Sequence, residues 1–258
     1  MKPILNVYAL PKFADPADLA GTAAVVIDVL RASTTIAYAL AAGAREVIPC
    51  LEIADARALA EQLGGNDIVL GGERQGVAIE GFDLGNSPEQ YSVDRVGGKT
   101  VILTTTNGTR AMVHARPADE VLVASFVNAA AIVTRLLECE KISIVCAGTD
   151  GLISDDDVLV AGMLVDRLQR QAGMVYQENT QALTARESWL HAFALPQALG
   201  AELLAPDRLA ERLRKSLGAQ NLIALGMDAD ILAAAQVDRF NVLPRLDLKT
   251  FRITKVEG

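Results

Sequence analysis

The chain is predicted to be an α/β protein, a single domain over residues 1–258 built as a three-layer sandwich. A largely parallel or mixed sheet would lie between helices on both faces. Three observations predict this. Short apolar runs alternate with segments of helical period. Hydrophobic residues make up 51% of the sequence but aromatics only 4%. Ala, Val, Leu and Ile must therefore fill the interior, as they do where helices pack on a parallel sheet. Glycine stands where a helix should stop, at Gly43 and at Gly64-Gly65.

Residues 4–10 read as a short strand, followed by a polar connection over 11–21. Residues 23–29 form an apolar core strand, and 33–42 its helix. Glu46–Cys50 is a strand, Ile53–Leu63 a helix and 68–70 a brief strand. The order β-α-β-α-β predicts parallel pairing with right-handed crossovers. The period then breaks over 71–91, a glycine-dense stretch bearing Glu73, Arg74, Glu80 and Asp83. A long loop after a sheet strand falls where ligands bind. Strands follow at Thr100–Thr104, Glu120–Ala124 and Lys141–Cys146, with helices over 127–137 and 158–170. Residues 184–194, 207–217 and 230–235 carry helical apolar spacing, and Trp189, Leu190 and Phe193 are expected in the core. An extended tail over 237–246 leads to a last strand over 251–256, expected at a sheet edge.

The formal net charge is −8, and no basic run is interleaved with aromatics, so no nucleic-acid partner is expected. Cys50, Cys139 and Cys146 fit neither a zinc knuckle nor a disulfide frame. No secretory signal and no apolar run of ~20 residues is present, so a cytoplasmic protein with no membrane partner is expected. Room is left for a homo-oligomer.

Three strand ends carry the candidate chemistry. Asp28 follows Val25-Val26-Ile27, and Arg31 and the hydroxyls of Ser33, Thr34 and Thr35 follow it at a helix start. A carboxylate beside bare helix N–H groups suits metal-assisted phosphoryl chemistry. The same residues also read as a strand with an ordinary capped helix behind it. Thr105-Thr106-Asn107-Gly108-Thr109-Arg110 repeats the arrangement after the strand Thr100–Thr104, with Arg110 as a clamp. Ser154-Asp155-Asp156-Asp157 opens a third helix. His114 and His191 are read as bystanders. Gly98-Lys99-Thr100 imitates a P-loop but opens a strand, and Val93 stands where the earlier glycine is required.

Absences narrow the chemistry further. No cysteine has an arginine six positions on, and no Arg-His-Gly or Gly-x-Ser-x-Gly is present. Asp28-Val29-Leu30 lacks the second aspartate of haloacid-dehalogenase phosphatases. Carboxylates, hydroxyls, backbone N–H groups and a few arginines remain, an oxygen-rich set that favours Mg²⁺.

The blocks Val26–Thr35, Gly81-Phe82-Asp83-Leu84-Gly85-Asn86-Ser87-Pro88, Thr105–Ala111 and Cys146-Ala147-Gly148 resemble the 2-phosphosulfolactate phosphatase family (ComB-type). The resemblance implies an α/β fold and Mg²⁺-dependent hydrolysis of 2-phospho-3-sulfolactate to 3-sulfolactate and phosphate, a step towards coenzyme M. One departure is Asp156-Asp157, where the family pattern leads one to expect Glu-Asp. The expected site has Asp28 and Asp83 holding Mg²⁺, with Asp157 as third ligand or water-orienting base. Arg31, Ser33, Thr34, Thr106, Asn107, Gly108, Thr109 and Arg110 would hold the anionic groups of a small phosphorylated substrate, and Arg74 would close over it. Two alternatives remain at this point: a phosphatase of another small phosphorylated hydroxy acid, and a non-catalytic anion sensor.

Overall fold

A computed structural model describes residues 2–173, 175–194 and 205–256. The strands are β1 (Ile4–Tyr8), β2 (Ala23–Ile27), β3 (Glu46–Cys50), β4 (Ile68–Arg74), β5 (Val77–Ala78), β6 (Thr100–Thr104), β7 (Glu120–Ala124), β8 (Lys141–Cys146), β9 (Gln177–Glu178), β10 (Leu243–Asp247) and β11 (Arg252–Val256). The helices are α1 (Pro16–Leu19), α2 (Ala32–Ala41), α3 (Ile53–Leu63), α4 (Val93–Val96), α5 (Asn107–His114), α6 (Ala129–Leu136), α7 (Asp155–Gln171), α8 (Thr180–Trp189), α9 (Pro206–Leu213), α10 (Leu217–Ala224) and α11 (Asp228–Ala234). None is long and apolar enough to cross a membrane.

The sheet order is β5-β4-β6-β3-β11-β10-β7-β2-β8-β1-β9. Strands β9, β1, β8, β2 and β7 are mutually parallel. So are β3, β6 and β4. Antiparallel β10 and β11 join the two blocks. Three antiparallel steps separate them, so the blocks run in opposite senses, and the sheet is mixed. The sequence order suggested one parallel series through β2, β3 and β4. Of that series, only the β3–α3–β4 crossover stays within one block; β2 and β3 lie in different blocks.

Side-chain alternation explains the burial. Val25 and Ile27 of β2 pack into one core cluster with α6, α7 and α8. Ala24 and Val26 of the same strand face the other cluster, with α2 and α5. A strand buried on both faces reads as an unbroken apolar run, which Ala23–Ile27 is. Helix α2 is buried from Ala32 to Leu40. Strands β3, β11, β10 and β7 lie between β6 and β2, yet the turns after β2 and β6 touch: a Cβ on Gly108 would stand 2.7 Å from Asp28 Oδ2. The twisted sheet must coil around α2 to bring these ends together.

Several element expectations change. The last strand is internal, with Ile253 fully buried and paired with Val47, because the β10–β11 hairpin bridges the two blocks. Its other face alternates Arg252, Thr254 and Val256, which imitates an edge. The 71–91 stretch is partly ordered: β4 runs to Arg74 and turns back as β5, tied by Gly76 N–H donating to Glu73 Oε2 at 2.8 Å. The helix expected over 207–217 ends at Leu213, and Ser216 caps a separate α10.

Candidate active site

A cleft of about 780 Å³ opens where β2, β4, β6 and β8 end. Asp28, Glu73, Arg74, Thr106, Asn107 and Arg110 line one side. Asn221, Leu222 and Leu225 of and just beyond α10 line the other.

The turn after β2 builds itself around Asp28. Ser33 Oγ donates to Asp28 O at 2.7 Å and accepts from Asp28 N at 3.1 Å. Ala32 N donates to Asp28 Oδ1 at 3.3 Å. Gly108 N, at the start of α5, donates to the same carboxylate. Asp28 therefore caps two helices at once, each with its positive end towards it. Gly108 has to be glycine, because a side chain there would displace Asp28 Oδ2 or Ala32 Cβ, both 2.7 Å from its Cβ position. Burial dominates over these donors. With the Asp156 and Glu73 charges it pushes the Asp28 carboxyl up to about 7.

Asp156 and Asp157 lie behind Asp28, both 2% exposed. Burial raises both carboxyls, most strongly Asp157, where the charges of Asp156 and Asp28 add to it. Neither lines the cleft. Asp157 Oδ1 accepts from Val29 N and Oδ2 from Gly148 N, each at 2.9 Å. Its expected place as a ligand in the cleft is not met: it stands buried behind Asp28, where its two oxygens fasten the turns after β2 and β8 together. Asp156 accepts from Ser154 Oγ.

The structure leaves Asp83 outside the cleft. It is exposed, and its Oδ2 accepts from Leu70 N at 2.8 Å, clipping the loop to β4. Its expected place beside Asp28 is not met, because the sheet-edge amide holds it. Ser33 and Thr34 do not form an anion seat either. Ser33 closes the Asp28 turn, and Thr34 Oγ1 donates to Val29 O at 2.7 Å and meets Ser125 Oγ at 2.7 Å. Thr35 Oγ1 donates to Asn86 O at 2.9 Å. Each hydroxyl fixes a loop instead. Thr109 is buried against Thr105 Oγ1 at 2.9 Å and faces inward as well. Thr106 lines the cleft with its N–H and Oγ1 both donating to Glu73 Oε1 at 3.1 Å. Arg31 lines the cleft but is ion-paired with Asp230 at 2.7 Å.

Arg74 and Arg110 are the cleft cations with no ion pair among the described residues. Arg74 is held by donating to Glu73 O at 3.0 Å and to Leu51 O. Arg110 is exposed on α5.

Among the described residues, no three of His, Cys, Asp and Glu stand together as a ready metal cage. Mg²⁺ needs no such cage, since it keeps waters and takes one or two carboxylates with substrate phosphate. The donors present are of the fitting kind. Asp28 and Glu73 supply carboxylates, and Asn86 lines the cleft with a buried Oδ1 that has no hydrogen-bond partner among the described residues. A cation at Asp28 would also offset the buried acidic group of Asp28, Asp156 and Asp157. Sequence reasoning missed the α10 wall, whose apolar spacing imitates core, and Asn86, which lies inside the Gly-Phe-Asp-Leu-Gly-Asn-Ser-Pro run it had marked.

A family model described as 2-phosphosulpholactate phosphatase matches residues 8–249. Relatives named probable 2-phosphosulfolactate phosphatase share this sequence. That of Symbiobacterium thermophilum is 40% identical over 88% of this chain and 92% of its own. That of Caldanaerobacter subterraneus subsp. tengcongensis is 35% identical over 94% and 95%. That of Thermotoga petrophila is 38% identical over 86% and 88%.

Proposed function

The chain belongs to the 2-phosphosulfolactate phosphatase family, and on that premise we propose that it hydrolyses 2-phospho-3-sulfolactate to 3-sulfolactate and phosphate, using Mg²⁺. The observation that carries the reading is Asp28. It is the one of the three clustered aspartates that lines the cleft, and it shares that cleft with Arg74 and Arg110, which have no carboxylate partner among the described residues. Asp28, with Glu73 and Asn86 beside it, would hold the metal, which when bound supplies positive charge to the phosphoryl oxygens. Hydrolysis joins a water oxygen to phosphorus, breaks the ester P–O bond and leaves a proton on the lactate hydroxyl. Arg110, Asn107 and Arg74 supply donors for the phosphate, sulfonate and carboxylate. Glu73 and Asp157 keep the turns in register. The setting we propose is cytoplasmic, with a small anionic substrate as the ligand.

Purified protein is expected to release phosphate from 2-phospho-3-sulfolactate with Mg²⁺, to stop in EDTA, and to recover when Mg²⁺ is restored. Turnover unaffected by EDTA removes the metal from the proposal. Release from phospholactate or phosphoglycerate but not from phosphosulfolactate replaces the substrate.

Arg110→Ala is expected to raise KM about tenfold with kcat within about threefold, because an exposed guanidinium binds ground and transition states alike. Steady-state kinetics check it. An unchanged KM would remove Arg110 from substrate binding.

A further inference from the structure

Asp230 lies 199 residues from Arg31, and the pair is buried beside the cleft. Arg31 is 4% exposed and Asp230 5%. Arg31 Nη1 donates to Asp230 Oδ2 at 2.7 Å. Ser87 Oγ donates to the same oxygen at 2.9 Å. Arg31 Nη2 donates to Gly76 O at 2.7 Å, and Met227 S stands 3.1 Å from Nη1. Arg31 lines the cleft and Asp230 does not. A ligand anion in the cleft is therefore closer to Arg31 than to its paired carboxylate. We propose that Asp230 is a positioning residue that offsets the charge Arg31 shows to a bound phosphate, so that the inorganic phosphate product is held loosely enough to leave.

This inference rests on the hydrolase reading, in which one phosphate site serves substrate and product. Two opposite charges in contact act on a third at a distance as a dipole, which falls off faster than a lone charge. Removing the carboxylate alone leaves a buried cation whose desolvation an anion in the cleft can relieve. Full neutrality of the pair has the opposite consequence: deleting both charges changes little for the anion.

Isothermal titration of the full chain with inorganic phosphate tests this. Asp230→Asn keeps the side chain's shape and is expected to bind phosphate about tenfold more tightly, with a larger phosphate-induced rise in melting temperature. Asp230→Glu restores the charge and is expected to return affinity towards that of the parent. A purely structural Asp230 would lower the melting temperature without tightening phosphate. Folded Asp230→Asn with equal or weaker phosphate affinity overturns the inference. Should Asp230→Asn fail to fold, the neutral pair Arg31→Gln/Asp230→Asn decides. Phosphate affinity within about threefold of the parent supports charge offset, and a loss of about tenfold or more overturns it. Turnover of phosphosulfolactate by the parent is measured separately. Its absence would end the hydrolase reading while the titrations still decide the role of Asp230.

Discussion

Asp28→Asn is expected to lower kcat by about a thousandfold or more, with a melting temperature equal to or above the parent's at pH 7.5. The two halves of this expectation come from one geometry. Asparagine keeps one oxygen to accept from Ala32 N, the contact made at 3.3 Å, and gives up the second acceptor that Gly108 N uses, a single bond that the loss of a buried charge offsets. It removes a carboxylate that the cleft offers to a cation and leaves Glu73 without its neighbour. Asp157 does not line the cleft, and Val29 N and Gly148 N hold it behind Asp28. Asp83 is held at the β4 edge. The substitution also relieves repulsion among Asp28, Asp156 and Asp157, which burial intensifies. Phosphate release and thermal melts on the same preparation check both halves. Activity within tenfold of the parent would show that the chemistry lies elsewhere in the cleft.

The second large effect concerns pH. Metal-free protein in EDTA is expected to melt at a higher temperature at pH 5.5 than at pH 7.5. The folded Asp28 carboxyl keeps its proton to about pH 7, whereas an unfolded chain gives it up near pH ~4. Protonation thus favours the fold, fully so below the unfolded value, and the advantage fades as pH rises through the folded one. Asp28 alone contributes about 2 kcal/mol between pH 7.5 and pH 5.5, worth roughly 4–8 °C in a chain of this size. Asp156 and Asp157 shift in the same direction. Asp228, lowered by its hydrogen bond to Arg214, acts in the opposite sense but below its ordinary range, outside this window. Mg²⁺ at pH 7.5 is expected to raise the melting temperature, and Asp28→Asn to flatten the pH dependence. A parent that melts lower at pH 5.5 in EDTA, with the same slope after Asp28→Asn, would show that the acidic group behind the cleft does not govern stability.

Much of the fold was legible because burial on both faces leaves a plain mark. Val25-Val26-Ile27 and Val121-Leu122-Val123 are unbroken apolar runs, and both are central strands. Helix α2 was legible from its Ala-rich spacing, though not its burial on all sides, which follows from a sheet that coils around it. The last strand was expected at an edge, since Arg252 and Lys255 suggest solvent while Ile253 carries its buried face, and β10, read as an extended tail, buries Pro244 and Leu246.

The amino-acid sequence by itself determined the kind of chemistry. It placed Asp28 at a strand end, Arg74 and Arg110 near further strand ends, and an excess of oxygen ligands over every other type. Residue type and local spacing fix these things, and they need no distant neighbour. Only the tertiary structure decided which of those groups face a ligand. A carboxylate or hydroxyl takes the nearest donor or acceptor the fold presents, so Asp157, Asp83, Ser33 and Thr34 went to backbone partners away from the cleft, while Asp28, with backbone partners of its own, still lines it. The pairing of Arg31 with Asp230 across 199 residues was set in the same way.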